Sequence, residues 1–210
     1  MIRRGFALVL LASCAAVPGD KPPMGFFVTS TSMGAGADLG GLEGADRHCQ
    51  ALAAAAGAGA RTWSAYLSTQ STPESPGVSA RERIGAGPWY NAAGVLIAAD
   101  VAELHSERNR ISKETALSER GTPTPGQFHD ILTGTRMDGN APSPLDPDMT
   151  CGDWTKNTAS GAALVGHFDR ASRIKGPWAT SWNSAHLTRG CNEAGLKELG
   201  SGSLFYCFAR

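Results

Sequence analysis

The stretch "GLEGADRHCQALAAAAG", Gly41 to Gly57, decides how the rest of this chain is read. Leu42, Ala45, Cys49, Leu52, Ala53 and Ala56 fall at offsets 0, 3, 7, 10, 11 and 14, one face of an α-helix that Gly57 ends. Cys49 therefore points into the core, and His48 lies at the rim of that face. The preceding "GAGADLGGLEG", Gly34 to Gly44, fits neither GxGxxG nor a Walker loop and offers no lysine for a phosphate. It reads as a flexible turn leading into the helix. After the helix, Trp63, Ala65 and Leu67 alternate with Thr62, Ser64, Tyr66 and Ser68, the pattern of a half-buried strand.

Outward from this pair, 210 residues suit one domain with a real core. With 41% apolar and 18% charged residues the chain is globular, and 26 glycines and 12 prolines require many turns between short elements. The formal charge is zero and no basic run occurs, so nucleic acid is excluded as a partner; phosphate binding needs clustered Lys and Arg.

Arg3 and Arg4 precede a short apolar run, Phe6 to Ala12, that reads as an export signal. It is too short to span a bilayer, which takes about 20 apolar residues. Leu11-Ala12-Ser13-Cys14 resembles the bacterial lipobox, which implies cleavage before Cys14 and acylation of that cysteine. Residues 1–13 are then signal peptide, 14–24 a lipidated cysteine with a Pro-rich tether, and 25–210 the folded domain. Ala15 stands where an Asp would signal inner-membrane retention, so the resemblance favours the outer membrane.

The other four cysteines, Cys49, Cys151, Cys191 and Cys207, lie in an exported chain, where an even count predicts two disulfides in any of three pairings. No CxxC occurs and the one adjacent pair, His48-Cys49, has no further ligand at zinc-site spacing, so no zinc site is expected.

Phe26-Phe27-Val28 reads as a strand. "GVLIAADVAELH", Gly94 to His105, reads as a strand and then a helix capped near Asp100; residues 106 to 127 read as loop. From Asp130 the pieces are short and β-like: "DILTGT", "DWTK", "ALVGHF", "WATSW" and "SLFYCFA". The long loop "RMDGNAPSPLDPDMT" separates the first two. Helices early and strands late predict an α+β domain.

Gly44-Ala45-Asp46, Cys49 on its helix and "WSAYLS" together resemble the opening of endostatin and its bacterial relatives. "RIGAGPWYNAAGVLIAADVAELH", then "ILTGTRMDGN…TCGDWT", Cys191 and "LFYCF" continue the resemblance over most of residues 25–210. The nearest likeness is to bacterial endostatin-like outer-membrane lipoproteins. That resemblance implies a variant of the C-type lectin fold, with nested disulfides Cys49–Cys207 and Cys151–Cys191. Endostatin's zinc histidines have no counterpart in residues 15 to 30.

Trp182-Asn183-Ser184 stops one residue short of the Trp-Asn-Asp with which C-type lectins hold calcium and sugar; Ser184 replaces the carboxylate, and the partner acidic-Pro-Asn motif is missing. Asn183 and His186 remain candidate ligand contacts. The long loop supplies Asp138, Asn140, Asp146, Asp148 and, beyond it, Asp153, which are calcium-type ligands but also ordinary turn formers. Trp63, Trp154, Trp178 and Trp182 read as core. Trp89, beside Tyr90 in "GPWYN", is the tryptophan best suited to an exposed contact, weighed against a core reading of its own.

A hydrolase would pair His167 with Asp169 or His129 with Asp130 and a nucleophile. Neighbours on a strand point to opposite faces, which counts against His129-Asp130. No GxSxG, HExxH or SxxK occurs, so catalysis is not expected. The sequence thus predicts a monomeric, non-enzymatic, lipid-anchored surface protein that binds an extracellular protein or glycan and needs no cofactor. A calcium-dependent lectin and a His/Asp envelope hydrolase are the alternatives.

Overall fold

A computed structural model describes residues 21–210; the expected signal peptide, the lipidated Cys14 and the start of the tether lie outside the described residues. No helix among the described residues is long and apolar enough to cross a membrane. The domain is α+β. Its elements run β1 (Phe26–Val28), α1 (Gly41–Ala55), β2 (Trp63–Ala65), α2 (Ala80–Arg83), β3 (Trp89–Tyr90), β4 (Leu96–Ala98) and α3 (Val101–Leu104). There follow β5 (Asp130–Leu132), α4 (Cys151–Trp154), β6 (Leu164–His167), β7 (His186–Leu187), α5 (Glu193–Lys197) and β8 (Ser201–Ala209).

The terminal strand organises the molecule. The order β1-β8-β5-β6-β7 makes one sheet, with β2 also paired to β8. Strand β8 runs antiparallel to β1 and β2 but parallel to β5. Its residues alternate between two cores: Phe205, Cys207 and Ala209 pack with Phe27, Trp63 and Ala65 under α1. Leu204, Tyr206 and Phe208 pack with Phe26, Tyr66 and Trp89 on the other side. A sheet covered on both faces buries every residue of its central strands. Trp63, Ala65 and Leu67 pack in the first core and Tyr66 in the second, so Trp63 to Ser68 is buried throughout rather than on alternate residues as the sequence pattern predicts.

Helix α1 forms where the periodicity places it. Gly40, at φ 67°, supplies the left-handed residue from which the chain turns into the helix, a conformation glycine adopts without a Cβ penalty. The buried face carries Cys49, bonded to Cys207 of β8; Cys151 is bonded to Cys191. Both disulfides are those the resemblance implies. Asp46 joins three elements at one point. Its Oδ1 accepts from the Ala65 backbone N–H at 2.8 Å, and Arg83 Nη2 donates to both carboxylate oxygens at 2.9 and 2.7 Å.

Three readings of the later segments need correction. "DWTK" is no strand: Cys151, Gly152, Asp153 and Trp154 all have positive φ, between 51° and 66°, and make a left-handed turn. Such a turn costs roughly 1–2 kcal/mol per non-glycine residue, so its supports are side-chain caps. Asp148 accepts from Thr150 N, Thr150 Oγ1 and Gly152 N, while Thr150 Oγ1 accepts from Asp153 N. Periodicity does not register a turn held this way. "WATSW" likewise contains a 3₁₀ turn, Trp178–Thr180, and Trp178 is 45% exposed instead of core. Trp63, Trp154 and Trp182 are buried as expected.

Candidate functional site

The site grows from strand pairing. Asp130 opens β5, a strand hydrogen-bonded on both sides, opposite His167 of β6 and Ser201 of β8. Directly opposed residues of an antiparallel pair project from one face, so the Asp130 and His167 side chains meet. His186 of β7 is paired with Val165, two residues before His167, and shares that face. His129 arrives differently. It closes the 3₁₀ turn Gly126–Phe128 in a helical conformation, φ −72° and ψ −15°, one residue before the strand begins. The alternation rule that counted against His129-Asp130 does not apply there, and the two side chains touch.

Three imidazoles converge on one carboxylate. His129 Nε2 lies 3.1 Å and His167 Nε2 3.2 Å from Asp130 Oδ1; His186 Nε2 lies 3.5 Å from Oδ2. The rings of His129 and His167 stack at 4.5 Å, and His186 meets His167 edge-on at 5.0 Å. Asp130 is fully buried, His167 nearly so, and His129 and His186 are partly exposed. The Nδ1 atoms all face away: His167 Nδ1 toward the Ala179 carbonyl at 2.8 Å, His186 Nδ1 toward the Leu187 carbonyl at 3.2 Å, His129 Nδ1 toward Asp169 at 3.5 Å. Asp169 thus faces His129, not its expected partner His167. Burial alone would raise the Asp130 pKa, but the His167 and His186 imidazoles outweigh it and hold the carboxyl below its usual range. Asp130 in turn raises the His186 pKa against the effect of burial.

Above this floor opens a cleft of about 1240 Å³, with Ile174, Trp178, Leu187 and Leu199 on its walls and Arg173 and Arg189 among its polar lining. Ile174 is 61% exposed. Of the lining hydroxyls, Thr188 Oγ1 accepts from Ala163 N and donates to the Gly190 carbonyl, and Ser172 Oγ accepts from Ile174 N.

The other sequence candidates do not join the site. Trp89 is fully buried and donates to the Ala209 carbonyl at 3.0 Å, so it is core, not a surface contact; Tyr90 beside it is half-buried. Asn183 is 1% exposed, and its amide is used internally by Tyr66 and the carbonyls of Arg136 and Met137, which leaves nothing for a ligand. The calcium candidates are spent on separate turns. Asp138 accepts from Asn140, Asp146 from Ser143 N, and Asp148 caps the left-handed turn. Among the described residues, the metal-ligating side chains that gather within 4.8 Å are His129, Asp130 and His167. Of the residues singled out from sequence for binding, His186 alone lines the cleft over this cluster. The sequence pairs Asp130 only with His129; strand register, not local spacing, brings His167 and His186 to it.

A second histidine network lies nearby. Asn183 donates to Tyr66 Oη, Tyr66 donates to His105 Nε2 at 2.8 Å, and His105 Nδ1 donates to the Val101 carbonyl at 2.8 Å. Burial, aided by Arg81 and opposed by Val101, lowers the His105 pKa below 6.5. The folded state therefore prefers neutral His105. Its contribution is complete above the unfolded value and is lost as pH falls through the lowered one. Between about pH 7 and about pH 5, thermal unfolding of the wild type should lose more stability than that of His105→Gln, which keeps an acceptor for Tyr66. Equal losses would contradict this.

Searched against models of known protein families and against curated proteins, the chain matches none.

Proposed function

We propose that this is an exported, lipid-anchored binding domain of the cell surface that seats a protein or glycan ligand in the cleft above Asp130. The fold we assign is the endostatin-like variant of the C-type lectin domain. The disulfide pairing supports that assignment, with α1 tied to the terminal strand and the left-handed turn tied to Cys191. The cleft carries the functional reading: a large concavity with exposed apolar walls over a polar floor is how ligand sites are built. Trp178, nearly half exposed on that wall, has the character of a binding anchor.

On an array of glycans and extracellular matrix proteins, run with and without calcium, the protein should bind a ligand without turning it over. Trp178→Ala should weaken that binding at least about tenfold, the loss of one anchor residue. Binding indifferent to Trp178 would place the ligand elsewhere and sink the reading. An envelope hydrolase is the second reading, favoured by the convergence of three imidazoles on a buried carboxylate. Turnover of a panel of esters, peptides or phosphoesters, lost in His186→Ala, would make it the better one.

A further inference from the structure

The histidine cluster is unusual for an ion-pair network because its contacts have distance but not direction. Neither oxygen of Asp130 and not Nε2 of His167 has a hydrogen-bond partner, although all are buried. A buried carboxylate without directed partners costs several kcal/mol, and β5 and β6 hold this one rigidly in place. His167 Nδ1 donates to the Ala179 carbonyl, so a neutral His167 turns the Nε2 lone pair toward Oδ1 3.2 Å away. Two lone pairs at that distance repel unless a positive charge, a second proton on Nε2 or a bound cation, sits against both.

We infer that His129, Asp130 and His167, with His186 as a further ligand from the cleft side, form a binding site for a divalent transition-metal ion of the zinc class. Imidazole nitrogens and a carboxylate are the donor set such ions take. Ligand atoms about 2.0–2.1 Å from a tetrahedral ion stand about 3.3–3.4 Å from one another; His129 Nε2 and His167 Nε2 stand 3.1 and 3.2 Å from Asp130 Oδ1, while His186 Nε2 lies 3.5 Å from the other oxygen, outside the three-residue group, and would move inward to complete the set. Each Nδ1 faces a carbonyl or carboxylate oxygen, the outer arrangement that orients metal-bound histidines. His167 and His186 reach Asp130 only because β6 and β7 pair in register beside β5, so no sequence motif announces the site. Hard calcium is not the ion this set selects, since calcium takes oxygen ligands. The exposed side of His186 turns the ion toward the cleft, where the ligand of the proposed binding function would approach it; in that respect the inference deepens that reading.

The test uses zinc and cobalt(II) alone, titrated into purified, chelator-stripped protein. One equivalent of zinc should bind, raise the melting temperature and compete with a chromogenic chelator. Cobalt should give visible d–d absorption without a thiolate charge-transfer band, since every framework cysteine is in a disulfide. His186→Ala, at the exposed edge, should weaken zinc at least tenfold, the lower bound set by losses of mere supporting residues, while the metal-free melting temperature changes little. His129→Ala should abolish the cobalt spectrum, and His48→Ala should change nothing. No stoichiometric zinc binding, or binding that survives both His129→Ala and His186→Ala, overturns the inference. Running the ligand array on stripped and zinc-loaded protein separates the two readings: a ligand-free array counts against the binding function alone, and the zinc titration decides the metal site by itself.

Discussion

Replacing Cys49 and Cys207 together by alanine should cost this domain about 5 kcal/mol, the chain-entropy value for a long loop. The bond closes 158 residues between α1 and β8, whereas Cys151–Cys191 closes 40 and should cost about 4 kcal/mol by the same relation. Domains are stable by only about 5–15 kcal/mol, so the double variant should sit near its folding threshold. The native surroundings add to the expectation. Both sulfurs lie in the core beneath α1, and Cys207 stands where β8 is paired on one side with Phe27 and on the other with Ala65. Loosening that point frays both termini of the sheet. Urea unfolding of the oxidised proteins measures the effect, with the midpoint falling by about a third or more. A loss under about 1 kcal/mol would mean that strand pairing alone holds the helix to the sheet, contrary to the loop-closure account.

How much of this could be read in advance follows from where the information sits. Helix α1 was legible because its apolar period is local and long, and the α3 cap at Asp100 because Asp at an N-cap has a local cause. Cys49 could be placed on a buried face for the same reason, but its partner came from resemblance, since spacing left three pairings open. Strand β2 was found with the wrong exposure: alternation reports two faces but cannot say that both are covered. The left-handed turn at Cys151–Trp154 was missed because capping side chains from Asp148 and Thr150 hold it. The His/Asp cluster was missed for the strongest reason. His167 and His186 reach Asp130 only through the pairing of β5 with β6 and of β6 with β7, and one residue of slip in either register would send a histidine to the opposite face.

That dependence on register makes Gly166 the position at which fold and site fail together. Gly166 lies in β6 between Val165 and His167 and is paired with Ile131. A Cβ there would stand 1.9 Å from the Trp182 carbonyl oxygen and 2.4 Å from Asn183 N. Both obstacles are backbone, so no rotamer change relieves them. Overpacked cores ordinarily lose about 1–3 kcal/mol and more when nothing can give; Gly166→Ala should lose well over ~3 kcal/mol on that basis. The 181–185 segment must retreat, and it carries the Ala185 N–H that bonds to Val165 and the Ser181 carbonyl that accepts from His167 N. Moving it withdraws His186 from Asp130 and tilts His167. Zinc affinity should therefore fall at least about a hundredfold, more than outer-shell losses produce, even under conditions where the variant remains folded. The contrast with His186→Ala is diagnostic, since that variant leaves the β6–β7 backbone in place and should lose metal with a much smaller loss of stability. Gly166→Ala with near-native melting and unchanged zinc binding would show that Trp182 and Asn183 are not what locks β6 and β7 in register.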